Sequence, residues 1–217
     1  MTIIEAMEQR HAVRRYEKKV LEESVIEELE MEVATCNEKY DLSIQLILND
    51  PQVFKGFMPY FVGFRNASNY LALVGREDSD TEEFLGYCGQ HLALKAQQLG
   101  LNTAWVGATF RKEKCKAFVK PNEALICVIA IGYGQTQGEP HQSKPLTELC
   151  HVNREMPDWF CKGMEAVMLA PTANNKQDIL VTLKNEKVII TTEEGPFKQV
   201  NTGIVKYHFE KGAEMVL

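Results

Sequence analysis

Three arginines, Arg10, Arg14 and Arg15, lie within six residues near the start of the chain. Guanidinium groups bind phosphate through forked, charge-assisted hydrogen bonds, so this cluster is a candidate phosphate site. A second interpretation is that Arg10 and Arg14 only complement the dipole at the carboxyl end of a helix. The cluster taken alone favours that second interpretation, and both stay open at this point.

A run of amide and hydroxyl side chains at residues 170–177 is the second candidate. It reads Ala-Pro-Thr-Ala-Asn-Asn-Lys-Gln and follows an apolar helical pattern. Amide side chains offer donors and acceptors, which suits the polar edge of a heteroaromatic ring. In this interpretation the amides of Asn175 and Gln177 are free to turn toward a ligand. The run can equally be a helix stop followed by a surface turn.

Two weaker signals accompany these runs. A predicted strand at 103–106 ends at Gly107, where the lack of a side chain lets a flat ligand approach the backbone closely. Val106 and Gly107 are therefore candidate contacts, although most of segment 86–107 is typical of a core helix and a core strand. Lys144 stands in a Gly- and Pro-containing loop, and a lone cation there signals little by itself.

The elements that must position these residues follow from periodicity and turn signals. A first helix begins at the capping-box pair Thr2 and Glu5. Further helices are predicted over 22–36, 81–99, 111–118, 157–169 and 201–211. Strands are predicted over 43–48, 60–64, 103–106, 124–131, 179–183 and 188–192, the last two forming a hairpin. The uninterrupted apolar run 124–131 indicates a central strand with both faces covered.

This mixture of elements, without the Gly-rich dinucleotide fingerprint, predicts an α+β fold in which helices surround a mostly antiparallel sheet. The 217 residues are expected to form a single domain, with a possible division into halves 1–137 and 138–217. A net charge of −6 without a basic tract argues against nucleic-acid and membrane partners. The six cysteines are scattered, which predicts no metal site and a reducing, cytoplasmic location.

Taken together, the segments resemble the nitroreductase family, and most closely its smaller bacterial branch. Segment 10–16 is similar to the family's Arg-Arg-Ser-Val-Arg-x-Phe element, and 86–107 to its central helix followed by Gly-Leu-Gly-Thr-Cys-Trp-x-Gly. Segments 130–134 and 144–146 resemble a strand ending in Gly-x-Gly and the Arg-Lys-Pro-Leu after it. Segments 165–177 and 203–210 resemble Glu-Ala-x-x-x-Ala-Pro-Ser-x-x-Asn-x-Gln-Pro-Trp and Gly-Ile-x-x-x-His-Phe-Glu. The resemblance runs in order along nearly the whole chain.

Three departures from the family pattern stand out. Ala12 replaces the usual serine, which removes one hydroxyl donor to the phosphate. Asp178 and Ile179 replace Pro-Trp, and Lys144 stands where arginine is more common. These changes put tight retention of the cofactor in question, whereas binding itself should survive them.

The resemblance implies FMN as cofactor and a homodimer with two flavin sites at the subunit interface. Carried over residue by residue, it assigns the phosphate and ribityl end to Arg10, His11, Ala12 and Arg14, with Lys144 as a second phosphate cation. It assigns the ring border to Pro171, Thr172, Ala173, Asn175 and Gln177, with the backbone of Val106 and Gly107 near the reactive nitrogen.

The activity that the resemblance implies is electron transfer from NADH or NADPH to a small oxidised acceptor such as a nitroaromatic or a quinone. The cofactor carries that chemistry, so no side chain is named as catalytic. A non-enzymatic flavin-binding or scaffold protein of the same fold is the main alternative. A dehalogenase or a flavin-fragmenting variant of the fold is a third.

Overall fold

The structure is a computed structural model that describes residues 1–152, 155–215 and 217. Its helices are α1 (Ile3–Gln9), α2 (Glu23–Tyr40), α3 (Phe57–Phe61), α4 (Ser79–Gln98), α5 (Leu146–Leu149), α6 (Asp158–Val167) and α7 (Lys198–Ala213). Its strands are β1 (Gln45–Ile47), β2 (Asn69–Gly75), β3 (Asn102–Val106), β4 (Ala124–Gly132), β5 (Cys150–Val152), β6 (Ile179–Lys184) and β7 (Lys187–Thr192). No helix in these ranges is long and apolar enough to cross a bilayer.

The main sheet has the strand order β1-β2-β4-β3, and every neighbouring pair is antiparallel. β4 lies between β2 and β3, with Ile129 opposite both Leu71 and Trp105. Its side chains are almost all buried, because α2 and α4 cover one face and segments 51–67 and 104–117 pack on the other. The predicted α+β fold with a mostly antiparallel sheet is confirmed, and so is the central position of 124–131.

The second sheet, with the order β5-β6-β7, packs against α6 and α7. Its β6–β7 hairpin confirms the prediction, and Leu183 pairs with Val188 beside the turn. β5 pairs with β6 in parallel, the one parallel strand pair in the described residues. The alternating burial of β6 gives it one face toward α6 and α7 and one toward solvent.

Two predicted elements are wrong. Residues 60–64 are not a buried strand, because Phe57–Phe61 form the short helix α3, with Phe61 75% exposed. Pro59 lacks the N–H that a sheet ladder needs, and aromatic content alone suggested the strand. Residues 111–118 contain only a 3-10 turn at Lys112–Lys114. Residues 115–118 are not helical. The Phe118 N–H donates to Gln45 Oε1 at 2.8 Å, which holds this segment against β1.

The sequence analysis also missed β2, the inner strand beside β4. All seven of its residues are buried, and its apolar run is bounded by Asn69 and Gly75. Such a bounded run is the usual pattern of a fully covered strand. The short elements α5 and β5 were missed as well.

The closest helix packing joins α4 and α7 through one glycine from each. A Cβ on Gly203 would overlap the carbonyl oxygen of Glu83, and a Cβ on Gly86 would overlap that of Val200. The contact is reciprocal. Gly86 meets Val200, three residues before Gly203, and Gly203 meets Glu83, three residues before Gly86.

We expect Gly203→Ala to lower the free energy of unfolding by about 1–3 kcal/mol, because overpacking must push the two helices apart. Chemical denaturation measures this change. The matched control is Gly195→Ala, since no heavy atom of a described residue lies within 4 Å of a Cβ built there. The control should change stability by less than about 0.5 kcal/mol. Equal effects in the two variants would contradict the close-packing argument.

Candidate functional site

Segment 10–16 lies extended along the main sheet and is fixed by backbone hydrogen bonds. The Val13 N–H donates to Thr103 O at 3.0 Å, and the Tyr16 N–H donates to Arg65 O at 3.0 Å. The buried Tyr16 hydroxyl donates to Val13 O at 2.6 Å, which closes the segment on itself. Arg10 to Tyr16 are therefore held beside β3 and not in a mobile tail.

Arg10 is the buried cation of this segment. It follows α1 directly as its C-cap residue and is only 5% exposed. Burial lowers the pKa of its guanidinium to about 10, so the group stays charged at neutral pH. Its side chain has no hydrogen bond or ion pair with any described residue. An unpaired buried charge is costly, which makes this position receptive to an anion.

The two neighbouring candidates differ from Arg10. The side chain of Arg14 is exposed and also has no ion pair within the described ranges. His11 is partly buried, and burial together with Arg10 and His141 lowers the pKa of its imidazole. The neutral form of His11 is therefore favoured at neutral pH. Ala12 forms a parallel bridge with Thr103, whose buried hydroxyl has no partner in the described part of the chain.

The loop after β4 connects this segment to the end of α6. A Cβ on Gly138 would lie 2.8 Å from the Cβ of His11, so the two backbones are in close contact. Three residues later, His141 Nε2 lies 3.0 Å from Met168 O, and Ser143 Oγ donates to the same oxygen at 2.8 Å. The N-terminal candidates and the polar run 170–177 are thus brought to one region by residues 138–143.

Both amides of the polar run are already engaged within the chain. Asn175 Nδ2 and Gln177 Nε2 donate to Gln142 O at 3.1 and 2.9 Å. Gln177 Oε1 accepts from the Lys144 N–H at 2.8 Å. The expectation that these amides are free is wrong, because the loop 142–144 lies beside them and buried polar groups find partners. The hydrogen bonds of these two amides hold the loop 142–144 in place.

Lys144 is engaged in the same cluster. Its Nζ forms an ion pair with Asp178 Oδ1 at 3.4 Å and donates to Gln177 O at 3.2 Å. Two of the three departures from the family pattern, Lys144 and Asp178, are therefore partners of each other. Lys144 would have to leave this pair to bind a phosphate.

The start of the polar run faces α7. The Ala173 N–H donates to Asn201 Oδ1 at 3.1 Å, and Thr172 Oγ1 accepts from the Gln177 N–H at 3.0 Å. Pro171, Thr172 and Ala173 are all half-buried. Asn174, Asn175 and Gln177 adopt the left-handed conformation, with φ of 54°, 53° and 51°. Asparagine tolerates this conformation, and the hydrogen bond from the Gln177 N–H to Thr172 Oγ1 helps to hold the turn.

The end of β3 is covered by an aromatic ring. Val106 is buried, and a Cβ on Gly107 would lie 2.6 Å from Cζ of Phe197. Phe197 stands before α7 with φ of 68°, a conformation that is strained for an aromatic residue. The absence of a side chain at Gly107 therefore serves close approach, although the group that approaches it here is Phe197.

A buried hydrogen-bonded chain ties β3 to the end of α6. Trp105 Nε1 donates to Gln90 Oε1 at 3.1 Å, and Gln90 Nε2 lies 2.8 Å from His208 Nε2. His208 Nδ1 lies 2.8 Å from Ala166 O, which can only accept, so Nδ1 carries the hydrogen. Burial lowers the pKa of His208 to about 3, which keeps the ring neutral. This chain holds Val106 and the polar run in fixed relation.

The structure therefore brings Arg10, His11 and Ala12, the end of β3 and the run 170–177 around one region through a continuous set of contacts. Sequence reasoning missed His141, Gln142, Phe197 and Asn201, which lie in loops or at a helix start and show no periodic signal. The sequence analysis placed His208 on an apolar helix face but predicted no hydrogen-bond partners for its two ring nitrogens. A histidine among buried apolar residues was the available signal for the hydrogen-bonded chain.

Comparison with known proteins identifies the fold. The family model described as "putative TM nitroreductase" matches residues 2–213. The chain is similar to a nitroreductase structure from Thermotoga maritima, with 21% identity and a TM-score of 0.70 over 96% of this chain and 82% of that one. It is also similar to a nitroreductase in complex with FMN from Desulfovibrio desulfuricans, with 17% identity and a TM-score of 0.56 over 72% and 99%. No curated protein shows significant sequence similarity to the chain.

The buried His208 should make stability fall as pH falls below about 6.5, its ordinary pKa, toward about 3 in the folded state. In that window the unfolded chain binds a proton that the folded chain refuses. Between pH 7.5 and 5 the loss from this group is about 1–2 kcal/mol. Denaturation at both pH values should show a smaller loss for His208→Gln than for the wild type. The exposed His151, changed to Gln as a control, should leave the wild-type loss intact. An unchanged pH dependence in His208→Gln would contradict the argument.

Proposed function

This chain belongs to the putative TM nitroreductase family, and on that premise we propose that it is an FMN-dependent oxidoreductase. NADH or NADPH would be the electron donor, and a small oxidised molecule such as a nitroaromatic or a quinone would be the acceptor. FMN, when bound, supplies the two-electron carrier between them. The observation that carries the proposal is the buried guanidinium of Arg10, which has no anionic partner in the described residues.

The residues around Arg10 suit a phosphate monoester. A guanidinium offers forked donors to phosphate oxygens, and neutral His11 can add one ring N–H. The buried hydroxyl of Thr103, which has no partner among the described residues, lies on the strand that bridges Ala12 and offers a further polar contact. Arg14 would extend the positive end toward solvent. The cluster is short and has no dinucleotide fingerprint beside it, which supports FMN over FAD.

The flat part of the cofactor would lie between the end of β3 and the polar run. The backbone of Val106 and Gly107 would meet the flavin ring only after the Phe197 ring moves aside. Pro171, Thr172 and Ala173 offer a half-buried border. Asn175 and Gln177 would act here mainly by fixing that border, because their amides bind the 142–144 loop. Lys144 would be a second phosphate cation only after leaving Asp178. No side chain is proposed as an acid or a base.

We also propose that the protein forms a homodimer, as the family resemblance implies. The contacts above connect the arginine segment to the run 170–177 through residues 138–143, and Gly107 to the start of α7 through Phe197. In the homodimer the two flavin sites would lie at the subunit interface, and the dimer would also cover exposed apolar surface.

Phe197 favours one alternative function. Because its ring covers Gly107, the site can also fit a flavin-binding protein in which acceptors do not reach the cofactor. Flavin binding would be common to both functions, whereas reduction by a nicotinamide would belong to the enzyme alone.

We expect the purified protein to be yellow and to release FMN on heating, because its phosphate would neutralise Arg10. Chromatography of the released cofactor distinguishes FMN from FAD. Addition of NADH or NADPH without oxygen should bleach the flavin absorbance, and a nitroaromatic or a quinone should restore it. Release of FAD, or no saturable flavin binding, would overturn the proposed cofactor. Flavin that binds but is not bleached would favour the non-enzymatic alternative.

We expect Arg10→Ala to weaken FMN binding by about tenfold to a hundredfold, the usual effect of losing a charged hydrogen bond. Arg14→Ala is the matched control, because it removes the same group from an exposed position of the same segment. Flavin titration of both variants measures the dissociation constants, and circular dichroism checks that they fold. Equal, small effects would favour the interpretation in which these arginines only complement the helix dipole.

A further inference from the structure

The short helix α3 points its apolar side chains away from the protein. Phe57, Met58 and Phe61 are 78%, 52% and 75% exposed, whereas Pro59 is buried on the inner side. The rings of Phe57 and Phe61 lie against each other, with centroids 6.0 Å apart. Large apolar side chains that are exposed together, and not singly, mark a contact surface.

The backbone on either side holds α3 as an ordered protrusion. Gly56 and Gly63 have φ of 119° and 99°, which side chains rarely allow, so the chain can turn sharply before and after the helix. Arg65 Nη1 donates to the carbonyl oxygens of Tyr60 and Phe64 at 3.1 and 2.8 Å. The apolar residues are therefore presented by a fixed element.

Basic side chains surround α3. Segments 55–65 and 111–116 hold six basic side chains and one acidic side chain, in a chain with 24 basic and 30 acidic ones. The two segments are neighbours, because the Arg111 N–H donates to Val53 O at 2.9 Å. The six basic residues are Lys55, Arg65, Arg111, Lys112, Lys114 and Lys116. The surroundings of α3 are therefore electropositive although the net charge of the chain is −6.

Most of these cations have no carboxylate partner. Three exposed lysines form no ion pair in the described part of the chain: Lys55, Lys112 and Lys114. The Arg65 guanidinium lies over the Tyr60 ring, with Cζ 3.6 Å from the ring centroid, and its Nε and Nη2 have no partner there. Arg111 is paired with Glu113 at 2.9 Å, and Lys116 lies 3.9 Å from a buried carboxylate. Four cations are thus available to an external anion.

We propose that Phe57, Met58 and Phe61, together with the six basic residues around them, form a site for peripheral contact with an anionic lipid surface. In this α3 patch the apolar side chains would enter the boundary between headgroups and acyl chains, and the cations would bind headgroup phosphates. An interfacial element of this kind buries its apolar side by about 5–10 Å and does not span the bilayer. The proposal does not depend on the proposed oxidoreductase activity.

The negative net charge does not oppose such contact. The potential of an anionic membrane falls off within a Debye length, which is about 10 Å at 0.1 M salt. Charges close to the bilayer therefore dominate the interaction, and around α3 these are mainly positive. The net charge that argues against a membrane partner in the sequence averages over this separation of charge.

A second copy of the chain fits the α3 patch less well. In a two-fold dimer a surface patch meets itself, so the six cations would face the same six cations of the other copy. Like charges placed together across an interface repel each other. The homodimer proposed above would therefore use a different face.

Single-stranded nucleic acid also combines with cations and aromatic rings, but its bases need open ring faces on which to stack. The Arg65 guanidinium covers one face of the Tyr60 ring. Phe57 and Phe61 are stacked on each other with an angle of 23° between their planes. Insertion among acyl chains needs apolar volume and no open ring face, so these side chains favour lipid.

The test is co-sedimentation of the purified protein with lipid vesicles. Vesicles of equal parts phosphatidylglycerol and phosphatidylcholine should bind the protein at least about tenfold more tightly than vesicles of phosphatidylcholine alone, because each basic residue near an anionic surface contributes about fivefold. Raising the salt from about 0.1 M to about 1 M should remove this preference, since the screening length falls from about 10 Å to about 3 Å.

Charge variants separate the α3 patch from general attraction. Lys112→Gln combined with Lys114→Gln should weaken binding to the anionic vesicles by about tenfold to thirtyfold. The matched control is Lys184→Gln combined with Lys187→Gln, which removes two exposed lysines beside the β6–β7 turn and should bind as the wild type does. All four side chains are exposed, and circular dichroism checks that both variants fold.

Apolar variants test insertion. Phe61→Ala should weaken binding to the anionic vesicles about fivefold to tenfold, because a phenyl ring no longer leaves water. Met31→Ala, an exposed apolar residue of α2, is the control and should change binding less than about twofold. In Phe61→Trp the tryptophan emission should move to shorter wavelength when the anionic vesicles are added, which adsorption by charge alone would not produce.

The outcomes are independent of flavin chemistry. Vesicle binding by a protein that NADH or NADPH never bleaches would keep the α3 patch and refute the proposed function, and bleaching without vesicle binding would do the reverse. Equal binding to anionic and neutral vesicles, equal losses in the two lysine pairs, or an unchanged emission of Phe61→Trp would overturn the patch. Saturable binding of a single-stranded oligonucleotide, or self-association that the Phe61→Ala change abolishes, would also overturn it if vesicles did not bind.

Discussion

The close crossing of α4 and α7 is the contact on which the arrangement of the site depends. Because Gly86 and Gly203 leave no room for a side chain, the two helix backbones approach until carbonyl oxygens fill the space where Cβ atoms would lie. That approach fixes α7 relative to the main sheet. Phe197 and Asn201, at the start of α7, are thereby placed against Gly107 and the run 170–177. A wider crossing would move one side of the site away from the other.

Polar groups around the site divide into those that hold the chain and those left for a ligand. Gln177 satisfies Gln142 and Lys144, Asp178 neutralises Lys144, and His208 joins Gln90 to Ala166. Arg10 is buried without such a partner among the described residues. In the low-dielectric interior a satisfied network stiffens its surroundings, whereas an unsatisfied charge destabilises them. The rigid frame and the unpaired charge are therefore complementary features of the proposed ligand site.

Sequence patterns predicted elements whose burial shows in the local apolar pattern and missed those whose environment is set by distant residues. The helix at 81–99 and the strand at 124–131 were predictable because apolar periodicity and continuity report burial directly. α3 was mistaken for a strand because its aromatic residues, which are exposed, imitate a buried run. In the candidate site, the polar side chains of Arg10 and Gln177 predicted polar contacts. Nothing local could show that Gln142 would accept from the Gln177 amide or that Asp178 would pair with Lys144, because these partners lie 35 and 34 residues apart in the sequence.

The unpaired guanidinium also couples the proposed cofactor to folding. A ligand that binds only the folded chain adds stability in proportion to the logarithm of its concentration over its dissociation constant. At Arg10 the phosphate would in addition remove the cost of a buried charge, so part of the binding free energy would offset a cost already present in the fold. Lys144 has no such cost, because Asp178 neutralises it. For a cation that is already paired, binding a phosphate adds little interaction free energy. For an unpaired buried cation, it adds the full interaction free energy. The position of the anionic end of the cofactor would thus be set by the one arginine of the segment that the chain buries without a partner among its described residues.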